Sequence, residues 1–199
     1  MKRRWILVLA VAFGLGFVLQ SYMAPNPPAD TQQQATINLS SGKTDSDLTL
    51  FDTNDSRIRV VYFGFTRCPD VCPTSLAMLT GALNQISDED KQHLWPIFIS
   101  IDPARDSASD THTYAQYFHP MIEGASGDLA TISMLAKRYG VIFQNKELAD
   151  SQLGYTVDHN SYFYFLKPNG ELISKVPHTL NPSPIIHEIS TILSAEGMQ

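Results

Sequence analysis

Val60-Val61-Tyr62-Phe63-Gly64-Phe65-Thr66 runs directly into Arg67-Cys68-Pro69-Asp70-Val71-Cys72-Pro73, and then into Thr74-Ser75-Leu76-Ala77-Met78-Leu79. The first segment is β-branched and aromatic, which predicts a buried strand. The last places Leu76, Leu79, Leu83 and Ile86 at helical spacing. The only two cysteines of the chain lie between them. A strand therefore delivers a thiol pair to the start of a helix.

Working outward, Trp95–Ile101 predicts a second buried strand, which ends at Asp102-Pro103-Ala104-Arg105-Asp106. Asp106 or Ser107 would cap a helix to about Phe118. Ser87 with Asp90 resembles a capping box for a short helical turn. Asp128 caps a further helix whose apolar face is Leu129, Ile132, Leu135, Ala136 and Tyr139, with Gly140 at its left-handed end. Ser161–Lys167, a Pro168-Asn169-Gly170 turn and Glu171–Val176 form a hairpin. A last helix starts at Pro184 and runs to about Leu193. The β-α-β beginning predicts parallel pairing, and the hairpin adds antiparallel strands. The expected fold class is α/β, a thioredoxin-like mixed central sheet flanked by helices.

Upstream, Lys2-Arg3-Arg4 precede an unbroken apolar run from Trp5 to Leu19. Counted on through Ala24, the run reaches about the 20 residues that span a bilayer, so residues 1–24 read as a transmembrane anchor. The basic cluster predicts a cytoplasmic N-terminus and an exported remainder. A cleaved signal peptide is the rival reading, but no small-x-small cleavage site follows. Residues 25–47, with Pro25, Pro27, Pro28 and three consecutive glutamines, read as an extended linker. The folded domain is then expected over 48–199. The three N-terminal cations belong to a total of 14 Lys+Arg, and the other 11 face 20 acidic residues, a balance of −9. That charge excludes nucleic acid as a partner. It favours an electropositive protein surface.

Cys68 and Cys72 are one residue further apart than the dithiol of a Cys-x-x-Cys oxidoreductase. The extra residue leaves room for a third body between two thiolates, a metal ion in particular. Two other readings stay open, a structural disulfide and a redox-active pair. A five-residue loop gains little from covalent closure, which counts against the staple. Of six histidines, His93, His112, His119, His178 and His187 read as surface groups. His159, in Val157-Asp158-His159-Asn160, precedes an apolar strand and could approach the cysteine loop; a capping or core role is the alternative. Two thiolates and an imidazole make a soft three-coordinate set suited to Cu(I). Zinc would want a fourth ligand.

Phe63-Gly64-Phe65-Thr66-Arg67-Cys68-Pro69-Asp70-Val71-Cys72-Pro73 resembles the signature of the SCO (SenC/PrrC) family of copper proteins. Asp102-Pro103-Ala104-Arg105-Asp106 resembles its Asp-Pro-x-Arg-Asp motif. Phe118-His119-Pro120 with Ala136–Val141, and Val157-Asp158-His159-Asn160 before strand, turn and strand, are similar to its later segments. The resemblance covers about Leu48 to Leu193 and the anchor. It implies a membrane-tethered thioredoxin-like domain with Cys68, Cys72 and His159 as copper ligands, for Cu(I) and with Cu(II) an open question. It also implies work on the copper-site subunit of cytochrome c oxidase, either as a metallochaperone loaded by another copper donor or as a thiol–disulfide oxidoreductase using Cys68 and Cys72. Without an Arg- and Ser-rich transit peptide, the implied setting is a bacterial inner membrane with the domain in the periplasm. Three departures stand out: Arg67 where many members carry histidine, Asn160 in place of the usual serine, and a segment before Val60 shorter than the usual β-hairpin.

Overall fold

A computed structural model describes residues 37–43, 47–149 and 151–198, all within one compact unit, Thr36–Gln199. The expected anchor, 1–24, and the linker as far as residue 36 lie outside the described residues. Among the described residues no helix is long and apolar enough to cross a membrane.

The strands are β1 (Asn38–Ser41), β2 (Asp47–Thr49), β3 (Ile58–Gly64), β4 (Leu94–Ser100), β5 (Glu123–Ser126), β6 (Phe143–Glu147), β7 (Tyr155–His159), β8 (Tyr162–Leu166) and β9 (Leu172–Pro177). The helices are α1 (Val71–Leu83), α2 (Asp88–Gln92), α3 (Ala108–Phe118), α4 (Leu129–Tyr139) and α5 (Ser183–Ala195). Seven strands form a sheet in the order β2-β1-β5-β4-β3-β8-β9, and β6 pairs with β7 in a separate ribbon. β3 runs parallel to β4, and β4 parallel to β5, as the β-α-β order predicts. β8 pairs antiparallel with both β3 and β9.

All seven residues of β3 are buried. Alternation along the strand sends Tyr62 and Gly64 to one face and Phe63 and Phe65 to the other. On the first face Tyr62 lies 5.1 Å from Phe163 and 6.2 Å from Phe98, and Phe98 meets Tyr114 of α3 at 5.4 Å. On the second, Phe63 packs on Tyr164 and on Tyr139 of α4, at 5.5 and 6.5 Å. Helices thus cover both faces, and β3 carries the thiol pair out of the middle of the sheet.

The caps follow the sequence. Ser87, Ser107 and Asp128 each accept the amide three residues on, at 3.0, 3.1 and 2.7 Å. Gly140 ends α4 at φ 69°. Leu129, expected on the inner face of α4, is 61% exposed at the first position after the cap, where the helix starts short of the core that buries Ile132 and Leu135.

The linker expectation fails from residue 37 onward. Ile37 and Leu39 are buried, and β1 pairs with β2 and β5. The folded domain therefore begins ahead of residue 48. The hairpin expected to be shortened is present, with Leu39 opposite Leu48. Its seat is close: a Cβ on Gly42 would meet the Ala108 carbonyl oxygen at 2.1 Å, and one on Gly124 would meet the Thr111 carbonyl oxygen at 2.3 Å. Glycine lets α3 lie directly against these edge strands.

Candidate metal centre

β3 ends at Gly64, and α1 begins at Val71. Cys68 therefore lies in the loop ahead of the helix and Cys72 in its first turn. Cys72 is fully buried and Cys68 half-buried. Both are free thiols. The Cys72 amide donates to Cys68 Sγ at 3.3 Å, one of the unpaired N–H groups of a helix start turned on a sulfur. The loop is tied back by Cys68 N to the Phe65 carbonyl at 3.3 Å. Gly64 makes the room: a Cβ there would stand 2.8 Å from Cys72 Sγ and 2.8 Å from the Phe98 ring.

His159 is the last residue of β7 and pairs in register with Phe143 of β6. It sits on a strand end rather than in a loop. Its Nε2 lies 3.6 Å from Cys72 Sγ, and its Nδ1 lies 3.0 Å from the Asn160 carbonyl oxygen. That carbonyl can only accept, so Nδ1 carries the proton and the Nε2 lone pair faces the sulfur. This is the arrangement that orients a metal-ligating imidazole. Phe65 stands edge-on to the ring at 6.1 Å. Asn160 pins the turn with its own side chain, accepting from Ile142 N at 2.8 Å and donating to the Gly140 carbonyl at 2.9 Å.

The structure brings Cys72 and His159 together and sets Cys68 beside Cys72. No group of three or more His, Cys, Asp or Glu side chains is closed into a metal cluster among the described residues. The sulfurs instead share a proton. The Cys72 thiol donates to Cys68, holding the Cys68 pKa well below the ordinary thiol value, helped by the Asp70 and Cys72 amides. Cys72 is pushed up for the same reason, and burial adds to it. Cys68 is then a thiolate at neutral pH. Its alkylation rate by iodoacetamide is expected to stay flat between about pH 6 and 8, where an ordinary thiol of pKa about 8.5 accelerates roughly tenfold per unit. A rate that climbs with pH across that window would contradict the shared proton.

Among the described residues none of the other five histidines is hydrogen-bonded to a thiol. His112 and His119 accept backbone amides through Nδ1. His178 meets the buried Ser75 hydroxyl at 2.8 Å, a structural tie the polar loop around it did not advertise. Asp106 is buried and no helix cap; it accepts from Thr66 N, Thr66 Oγ1 and Ser100 Oγ at 2.9, 2.6 and 2.7 Å. A polar pair at the end of an apolar strand, Ser100 with Asp106, was the available signal.

A family model described as SCO1/SenC matches residues 43–194. The chain belongs to the SCO1/SenC family. It is 30% identical over 192 residues to the SCO2-like protein of Rickettsia felis, covering 91% of this chain and 92% of that one. It is 37% identical over 117 residues to the mitochondrial protein SCO2 of Saccharomyces cerevisiae, where the match takes 59% of this chain but only 39% of the yeast protein's length. Among solved structures, Arabidopsis thaliana ScoI with copper bound aligns at a TM-score of 0.68 and 29% identity, over 79% of this chain and 96% of the other. The thioredoxin-like α/β architecture is thus common to this SCO1/SenC chain and its structural neighbour.

Proposed function

We propose that the chain is a copper metallochaperone, holding Cu(I) through Cys68, Cys72 and His159 and passing it to the copper-site subunit of cytochrome c oxidase. The observation that carries this reading is the His159 lone pair aimed at Cys72 Sγ across 3.6 Å, beside a second, readily ionised sulfur. Copper is cargo here. Two thiolates and one imidazole are soft and few, which suits Cu(I) over zinc or an octahedral ion. A metal would take the place of the proton the sulfurs share. Low coordination leaves the ion open to attack by an incoming thiolate of the acceptor, so transfer proceeds by ligand exchange. Copper-bound relatives of the same fold add weight.

In this reading residues 1–24 are an uncleaved anchor and 25–36 a tether. They keep the domain at the periplasmic face of a bacterial inner membrane, within reach of its target and of a copper donor. Support comes from Lys2-Arg3-Arg4 ahead of the apolar run and from the Rickettsia relative.

One observation favours a second reading, a thiol–disulfide oxidoreductase that reduces the target's cysteines. Cys68 is accessible and ionised while Cys72 is buried and protonated. That asymmetry is what an attacking and a resolving thiol need. His159→Ala separates the two. A copper carrier is expected to lose more than about 100-fold in Cu(I) affinity, beyond the roughly 10–100-fold cost of disturbing a ligand's partner, and to fail in restoring oxidase assembly. A reductant would restore assembly as well as the wild type. Competition with a chromophoric Cu(I) chelator, alongside an oxidase complementation assay, reads both.

A further inference from the structure

The cysteine loop and the histidine strand belong to different sheets. β7 pairs only with β6, and an isolated two-stranded ribbon is marginal in water. Something outside the ladders must set the position of His159 against the thiols. We propose that the turn Asp102–Asp106 is a two-armed bracket in which Asp106 holds the thiol loop and Arg105 holds the histidine strand.

The first arm is Asp106. Its carboxylate takes the amide and hydroxyl of Thr66, two residues before Cys68, and the hydroxyl of Ser100 at the end of β4. The second arm is Arg105. Its Nη1 donates to the carbonyls of Leu153 and Tyr155 at 3.0 and 2.8 Å, and its guanidinium lies 3.5 Å over the Tyr155 ring. Asp102 closes this arm. It pairs with Arg105 Nε at 2.5 Å through one oxygen and accepts the Tyr155 hydroxyl at 2.7 Å through the other. The turn braces itself: the amides of Arg105 and Asp106 both donate to the Asp102 carbonyl at 3.0 Å, and the Asp102 amide donates to Ser100 Oγ at 3.1 Å.

Charge-assisted bonds of this kind are the strong, directional ones, and these lie in a largely buried turn, with Asp102 and Asp106 nearly closed to solvent. Tyr155 stands four residues before His159, about 13 Å along an extended strand. A small rotation at the clasp is therefore carried along the strand to its imidazole end. Consecutive residues, Arg105 and Asp106, serve opposite sides of one site. This inference rests on Cys68, Cys72 and His159 being the ligands, but the bracket itself can be read without metal.

The test uses the reduced full-length chain. Without copper, Arg105→Gln is expected to raise amide deuterium uptake across 155–159 by about tenfold, the scale of one lost hydrogen bond to a charged group, with 66–72 unchanged. Asp106→Asn is expected to do the reverse. Tyr155→Phe and Thr66→Val repeat each arm with milder changes in case the first pair folds poorly. With Cu(I), Arg105→Gln is expected to weaken binding about 10–100-fold and to cost nothing further in a His159→Ala background, whereas Asp106→Asn keeps its cost there. Uptake that rises equally in both segments, uptake that rises in neither, or an Arg105→Gln cost that persists without His159 would each overturn the bracket. A wild type that takes up no copper would overturn the metallochaperone reading and leave the exchange result to decide the bracket.

Discussion

Cys72→Ser is expected to remove Cu(I) binding from the reduced protein. The reasons are chemical before they are geometric. A serine hydroxyl is a hard donor that does not ionise near neutral pH, and Cu(I) selects soft thiolates. The position allows no substitute: Cys72 is fully buried beneath Gly64, and a hydroxyl there would face His159 Nε2 with only Cys68 left as a thiolate. Disturbing a hydrogen-bond partner of a metal ligand already costs about 10–100-fold, so losing the ligand itself exceeds 100-fold. Cys68→Ser should be as severe in copper binding but different in the thiol that remains. Cys72 is pushed up chiefly by its bond to Cys68, so without that neighbour its ionisation becomes easier. Anaerobic chelator competition on both variants checks the pair. Near-wild-type affinity in either would remove that sulfur from the ligand set.

The parts of the site that could be read from the sequence are those whose signal is local. Val60–Phe65 is apolar on both faces because it lies in the centre of a covered sheet, and both cysteines follow it directly. Asp128 and Gly140 marked the ends of α4 because capping and a left-handed terminus have few residue choices. The β6–β7 ribbon gave no such signal. Gln144, Asn145, Lys146 and Glu147 are all exposed, so neither alternation nor an apolar run distinguishes a strand. β1 was hidden in a polar stretch, where Leu39 is a buried apolar residue supported by Leu48 across the ladder. His159 could be picked out by its place before an apolar strand. Its reach to Cys72 depends on the ribbon and on the Arg105 clasp, which join segments some fifty residues apart. Asn160 shows the same limit. As a letter it was a departure from the family pattern; in place, it spans Gly140 and Ile142 and fixes the carbonyl that orients the imidazole.

Arg59→Met is expected to be the most damaging single change to stability away from the candidate metal centre. Arg59 is wholly buried in β3, and among the described residues no carboxylate oxygen bonds to it, the Asp55 and Asp52 charges acting only through space. Its guanidinium is spent on backbone carbonyls instead: Nε on Leu50 at 3.1 Å, Nη1 on Asp55 at 2.7 Å and on Arg57, and Nη2 on Asp52 at 2.8 Å. The ring of Trp95 lies 5.2 Å from it. Burial lowers its pKa from the usual guanidinium range, while the Asp55 and Asp52 charges pull it the other way. Methionine fills much of the same space, so the substitution isolates the polar term. An orphaned buried acceptor costs about 1–3 kcal/mol. Leu50 is fully buried, while Asp52, Asp55 and Arg57 lie near enough to solvent for water to recover part of the loss. A net loss of about 3 kcal/mol follows, or about 6–12 °C in Tm for a domain of this size. Denaturant unfolding followed by tryptophan fluorescence measures it. A loss below about 1 kcal/mol would mean that water replaces the guanidinium at every carbonyl. Cu(I) affinity of the folded variant should not move, since Arg59 and Gly64 lie five residues apart, about 17 Å along β3. That separation makes the variant a control: a chain destabilised at the far end of the strand that carries the thiols, with the thiols themselves in place.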